Sequence, residues 1–455
     1  MATPGAAGDT TDGSIAAAPE GGQRLTYGYY VVGLLSVTYM LSFMDRTLIS
    51  LLIEPIKSEF ALSDTQIGAL IGFGFVVFYS VLGLPFGALA DRANRRNLIL
   101  FGLVAWSLAT SASGFAGGFT MLLMMRALVG VGEATLSPSA YSTIADRFPP
   151  RRLGIAIAIY AIGVSLGGGL ATMFGGVLVN WATDHTVAVP LVGAVGGWRL
   201  AIFVVGLLGL PLALLMALTM REAPRRITTP APPFADLGRY IMRRPAAMIG
   251  TLSAFSFANV ANYVVFLWGA PLFMRVHGLD ARTTGLVLGA IIGVFGSIGM
   301  LASGALSDRL IQKGKVDAPV RVTFWTLIAQ MPLMPAAFLI DNVTLAFALL
   351  VPTMMLTTAA SSVQGTALQL MAPPRMRGRI IAIYLLFVTL VGMGIGPLLI
   401  GVLSDHWFTA ADGLQPAMAI VALAGLVIAA VLLALVRRQT RALMVEQRAE
   451  AQPAA

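Results

Sequence analysis

The chain has 455 residues, 57% of them apolar and only 11% charged, with a mean hydropathy of +0.83. A water-soluble body of this size needs far more charge to cover its surface, so lipid is the indicated solvent. The absence of cysteine excludes disulfides, thiol catalysis and thiolate metal sites. The net charge of +9 is spread over alternate loops instead of gathered into a nucleic-acid-binding face.

Residues 1–24 are rich in Gly, Ala, Thr and acid, without an apolar core or basic start, and read as a disordered cytoplasmic tail, not a signal peptide. Apolar runs then predict helices at 27–53, 65–89, 97–117, 119–146, 152–181 and 198–220. A connector at 221–245 holds Pro224, Pro230, Pro232 and Pro233. Six more helices are predicted at 246–275, 282–311, 319–341, 343–371, 377–408 and 414–437, with a second tail at 438–455. Uncharged windows such as 98–125, 153–181 and 380–404 exceed the ~20 apolar residues that cross a ~30 Å hydrocarbon core. The fold class expected is an all-α membrane protein of twelve transmembrane helices in two bundles, 25–220 and 246–437.

Charge sets the orientation. Basic residues fill every second loop: Arg92, Arg95 and Arg96; Arg147, Arg151 and Arg152; Arg221 to Arg244 in the connector; Arg309, Lys313, Lys315 and Arg321; Arg375, Arg377 and Arg379. The loops between hold only Lys57, Arg199, Arg275 and Arg282. This asymmetry predicts both termini in the cytoplasm of a cell's inner membrane, with basic loops touching membrane lipids.

The halves repeat. Gly87-Ala-Leu-Ala-Asp91-Arg92 returns as Gly304-Ala-Leu-Ser-Asp308-Arg309, each leaving the second helix of its half. Pro149-Pro-Arg-Arg-Leu-Gly154 returns as Pro373-Pro-Arg-Met-Arg-Gly378, in the same order. Six helices per half is an even number, so the repeats run parallel, related by an axis along the membrane normal, with substrate handled between them.

Four charges are predicted inside spans: Asp45 and Arg46 in the first helix, Arg126 and Glu133 in the fourth. Charge in a span costs several kcal/mol and marks a functional candidate with a partner. At 1.5 Å per residue, Asp45 and Arg126 lie at matching depths, ~12 and ~10 Å below one face, and can pair. Glu133 follows Arg126 by two turns on the same helix face, near the midplane. A carboxylate balanced between burial and an arginine can exchange a proton, which assigns proton coupling to Glu133 and Asp45. Arginine keeps its proton, so Arg126 and Arg46 suit an anionic headgroup, with Glu133 and Asp45 completing the substrate site. The alternative is a buried structural network.

The second half has no mid-helix charge. It offers Asn259, Asn262, Gln330, Gln364 and Gln369 beside Phe255, Phe257, Tyr263, Phe266 and Trp268. Interhelical hydrogen bonds are expected of the amides, and packing or lipid contact of the aromatics. A membrane enzyme is the rival class, but His185, His277 and His406 fall in loops or at helix ends, so no catalytic residue, metal or cofactor is assigned. A channel suits the two-fold repeat less well than a carrier does.

Gly87-Ala-Leu-Ala-Asp91-Arg92-Ala-Asn-Arg95-Arg96 resembles the loop signature G-x-x-x-D-R-x-x-R-R of the major facilitator superfamily, with Asn94 where the family usually has Gly. Arg126-Ala-Leu-Val-Gly130-Val-Gly132 resembles its fourth-helix motif, and Gly392-Met-Gly394-Ile-Gly396-Pro397 is similar to its Gly/Pro-rich motif. Ser42-Phe43-Met44-Asp45-Arg46, with Arg126 and Glu133, resembles the spinster branch. The resemblance implies a monomeric, proton-coupled secondary transporter of sphingolipids or lysophospholipids, or else a carrier of small organic anions or drugs. It also implies a conformational gate at Gly87, Asp91, Arg92, Arg95 and Arg96, repeated at Asp308 and Arg309.

Overall fold

The computed structural model describes residues 21–90, 92–189, 193–225, 234–373, 376–410 and 412–451. Asp91, Arg226, Pro230, Pro232, Pro233, Arg375 and residues 1–20 lie outside the described residues. The apolar runs are helices throughout, because only a helix satisfies every backbone polar group within one segment in hydrocarbon. The first half contains α1 (Gly21–Leu51), α2 (Asp64–Ala90), α3 (Arg95–Ser113), α4 (Phe119–Arg147), α5 (Pro150–Thr183) and α6 (Gly197–Thr219). The second contains α7 (Pro245–Arg275), α8 (Ala281–Gln312), α9 (Ala318–Leu339), α10 (Val343–Leu370), α11 (Arg377–His406) and α12 (Leu414–Ala451). Among the described residues ten of these are long and apolar enough to cross a membrane; α3 and α5 pack in the same bundle.

The packing repeats as the sequence does. In the first half α3 lies against α4 and α6, and α2 against α4; in the second α9 lies against α10 and α12, and α8 against α10. The halves meet where α2 packs on α11 and α5 on α8, two versions of one contact. Small residues permit it: a Cβ on Gly169 of α5 would lie 2.5 Å from the Cα of Gly293 in α8. α2, α8 and α11 each contain a widened π-helical turn, at Ala69–Phe73, Ile291–Phe295 and Thr389–Ile395. In α11 the cause is local. Pro397 has no N–H to give Met393, and Gly72 of α2 packs onto that carbonyl, where a Cβ would come within 2.5 Å.

Four features differ from the expected elements. α1 stops at Leu51 and a short helix, Ile53–Phe60, follows, since Pro55 lacks the N–H that would bond Leu51. The connector holds a helix, Phe234–Arg243, whose Tyr240 donates to the Met371 carbonyl at 2.6 Å. α12 runs on to Ala451 because residues 437–451 lack Gly and Pro, and Thr440, Leu443 and Met444 find burial there. A hairpin pairs Thr186–Val189 with Gly193–Gly196 between α5 and α6. The end bearing the arginine-rich loops is called the basic end below, and its opposite the far end.

Candidate functional site

Asp45 and Arg46 on α1, with Arg126 and Glu133 on α4, come together inside the first bundle, none more than 6% exposed. Arg126 Nη1 donates to Asp45 Oδ2 at 2.7 Å, the pairing that matched depths permit. Thr110 of α3 donates to the other Asp45 oxygen at 2.9 Å. Arg46 is turned about 100° from Asp45 around α1, so it faces elsewhere. Its Nε and Nη2 donate to Glu133 Oε2 at 2.8 and 2.5 Å, and Ser42, one turn earlier, donates to the same oxygen at 2.5 Å.

Aromatic rings hold both guanidinium groups. Arg46 lies 4.6 Å from the ring centres of both Phe75 and Tyr79 on α2, and 5.1 Å from Phe43. Arg126 lies 5.4 Å from the same Phe75 ring, which therefore touches both cations. Glycine in α4 permits this closeness: a Cβ on Gly130 would stand 2.5 Å from the Phe75 carbonyl oxygen. α4 also breaks just past Glu133, where Thr135 Oγ1 bonds back to the Gly132 carbonyl at 2.9 Å.

The site is not saturated. Glu133 Oε1 and Arg126 Nε and Nη2 are buried and make no hydrogen bond among the described residues. A buried polar atom left so costs about 1–3 kcal/mol, so a bound polar group would gain there. Tyr160 stacks on Tyr39 at 4.8 Å and meets Tyr141 edge-on, which extends the aromatic wall.

The second half carries a neutral counterpart. Asn259 Nδ2 donates to Gln364 Oε1 at 2.8 Å, Tyr384 donates to the same atom at 2.7 Å, and Ser361 donates to Asn259 Oδ1 at 3.2 Å. Gln330 accepts from Thr357 at 2.9 Å. These are the interhelical bonds expected of the amides; Gln369 is exposed, and Asn262 Oδ1 is buried without a partner among the described residues. Phe255 and Trp268 are packed into the core, while Phe257, Tyr263 and Phe266 are partly buried.

At the basic end, Arg95 is fully buried and pairs with Asp146 and with Glu222 at 2.8 Å, while the Arg96 N–H donates to Glu222 at 2.8 Å. Both arginines thus tie the first half to the segment that leaves α6. Gly87 lies near Pro138, whereas Arg92, Asp308 and Arg309 are exposed. Asp91 lies outside the described residues. The three histidines sit beyond α5, beyond α7 and at the end of α11, and no metal-holding cluster occurs among the described residues. Burial holds the His277 imidazole below its usual value, against the opposing pull of Asp341.

Ser42, Thr110, Phe75 and Tyr79 contact the charges and were not singled out as site residues from sequence. Phe75 and Tyr79 left one signal, an i, i+4 aromatic pair on the predicted second helix.

The Major Facilitator Superfamily model matches residues 35–393. An MFS-type efflux pump of Mycolicibacterium smegmatis is 28% identical over 380 residues, 82% of this chain and 84% of that protein. Protein spinster homolog 1 of Homo sapiens is 30% identical over 319 residues, 64% of this chain, which spans 57% of that relative's length. The crystal structure of a bacterial homolog of the human lysosomal transporter spinster, inward-facing and unoccupied, superposes with a TM-score of 0.74 at 28% identity. That superposition covers 93% of this chain and 97% of the other. With a family model matched over most of its length and the same helix arrangement in a solved relative, the chain belongs to the major facilitator superfamily: it is an integral membrane transporter similar to spinster proteins, and not an enzyme.

Proposed function

We propose that this transporter works by alternating access and couples protons to the movement of an amphipathic, lipid-like molecule of the sphingolipid or lysophospholipid class. It acts as a monomer in the cell's inner membrane, with both termini in the cytoplasm. The carrying observation is the neutral set of four charges, in which Glu133 holds Arg46 through one oxygen and leaves the other free. Protonation of Glu133 cancels one negative charge and leaves Arg46 unpaired beside Arg126, with one net positive charge. An anionic headgroup restores neutrality, so occupancy by the proton and by the headgroup are linked. Two free N–H groups on Arg126 offer the planar fork that suits phosphate or carboxylate. The partly buried Phe257, Tyr263 and Phe266 of the second half can receive an acyl chain without leaving a polar group dry. The gate at Gly87, Asp91, Arg92, Arg95 and Arg96, with Asp308 and Arg309, controls conformation and does not touch substrate.

Proteoliposome uptake with an imposed pH gradient tests the coupling. Wild type responds to the gradient, and Glu133→Gln loses that response while remaining folded and inserted; an unchanged response would sink the proposal. The similarity to an efflux pump favours a second reading, a proton-coupled carrier of small organic anions or drugs on the same four charges. Competition of a hydrophilic anion against a lysolipid separates the two.

A further inference from the structure

Asp64 opens α2 at the far end and is buried, yet it belongs to no part of the site above. It accepts from Arg275 Nη1 and Nη2 at 2.6 and 2.9 Å, from Lys57 Nζ at 2.5 Å and from Ser404 Oγ at 2.8 Å. Arg275 ends α7 and Ser404 nears the end of α11, so three of the four bonds cross between halves. Arg275 also donates from Nε to Glu54 of the first half at 3.0 Å. Asp405 of α11 accepts the backbone N–H groups of Asp64 and Thr65 at 2.9 and 2.6 Å, capping the first turn of α2 from across the interface. Nearby, Ser50 donates to the Leu267 carbonyl at 2.8 Å.

The backbones touch under these bonds. A Cβ on Gly401 would lie 2.2 Å from the Asp64 carbonyl oxygen, and one on Gly176 would lie 2.4 Å from that of Ala281. The far end is therefore closed on both sides of the pseudo-axis. A cleft of about 270 Å³ beside Lys57, Asp64, Arg275 and Asp405 lets water reach the cluster.

We propose that Asp64, Arg275, Glu54 and Asp405 form a latch that holds the far end shut and releases as a unit when the halves part there. Separation removes Arg275 from both carboxylates and Asp405 from the α2 cap in one movement. Only Lys57 stays with Asp64, and it keeps that carboxylate from being stranded. Partial access to water keeps release feasible, since a fully dry bidentate pair would lose several kcal/mol on separation. Glu59–Arg199, at the same end, is the built-in control: it joins residues 2.6 Å apart within the first half alone.

The latch concerns the transport cycle and is read without substrate, so failure of the lipid assignment leaves it intact. The chain has no cysteine, so spin labels on Ser58→Cys and Thr409→Cys report the far end without background, and labels on Asn97→Cys and Lys313→Cys report the basic end. In Asp64→Asn the far-end distance lengthens, with the open-to-closed ratio rising about tenfold, and the basic-end distance shortens in step. Asp405→Asn, which removes the charge and one of the two acceptor oxygens that cap α2, gives a smaller shift of the same sign and serves if Asp64→Asn does not fold. Glu59→Gln changes neither distance. Unaltered far-end distances in folded Asp64→Asn and Asp405→Asn, or an equal shift in Glu59→Gln, overturn the latch.

Discussion

Within one shared plan of helix packing, the first half buries the Arg46–Glu133 and Arg126–Asp45 ion pairs, while the second buries the neutral chain Asn259–Gln364–Tyr384. What the halves have in common serves movement: the same helix pairs, the same glycine-lined contact made twice, the same loop motif. What they do not share is chemistry. A symmetric scaffold can rock about its interface with either half leading, but the deep ion pairs lie in the first half while the second answers with neutral hydrogen bonds.

The contrast can be broken most severely at Glu133. Glu133→Gln should abolish the response of uptake to a pH gradient, because among the described residues no other midplane acid remains unbonded at one oxygen. Next in size is Arg126→Ala, which removes the charged donors of the proposed headgroup site and leaves Asp45 without its ion-pair partner. Binding of an anionic lysolipid should weaken roughly a hundredfold, ~3 kcal/mol, by calorimetry or fluorescence titration. Phe75→Leu removes the ring shared by both guanidinium groups, worth about 0.5–2 kcal/mol, and should weaken the same binding several-fold. Gln364→Ala sharpens the comparison from the other side. It breaks a neutral chain worth about 1 kcal/mol per bond, so affinity should fall less than in Phe75→Leu or not at all. An effect equal to that of Arg126→Ala would mean that the second half also reads the headgroup. Smallest for affinity is Arg92→Ala, which should shift the balance of open states in distance measurements and leave binding within each state unchanged.

Much of this contrast was legible in the residues. Helix spacing and loop charge marked the spans, and the repeated Gly-x-x-x-Asp-Arg loops marked the two halves. That Asp45 and Arg126 can pair, provided the first and fourth helices face each other, followed from depth, since a single rise per residue fixes where a side chain lies in a helix. The partner of Arg46 did not follow, because the rotation of α1 about its axis depends on packing against α2 and α4. Phe75 and Tyr79 stayed hidden for the same reason: one apolar face among several on α2 carries no label. The far-end cluster was missed because Asp64, Arg275 and Asp405 lie in segments predicted as loops or helix ends, where charge is ordinary, and only the closure of the halves brings them together. The run of α12 past residue 437 was hidden by its three arginines, which suit a tail as well as a helix until the connector is seen to meet it through Arg244 and Glu446.

Equilibrium binding of a lysolipid, set against a small hydrophilic anion in wild type and Arg126→Ala, asks most directly whether the charged half is a headgroup site. Tight lysolipid binding to wild type, lost about a hundredfold in Arg126→Ala, is the expected result, with weak hydrophilic-anion binding in both. Tight, arginine-dependent binding of the hydrophilic anion, with none of the lysolipid, would contradict it.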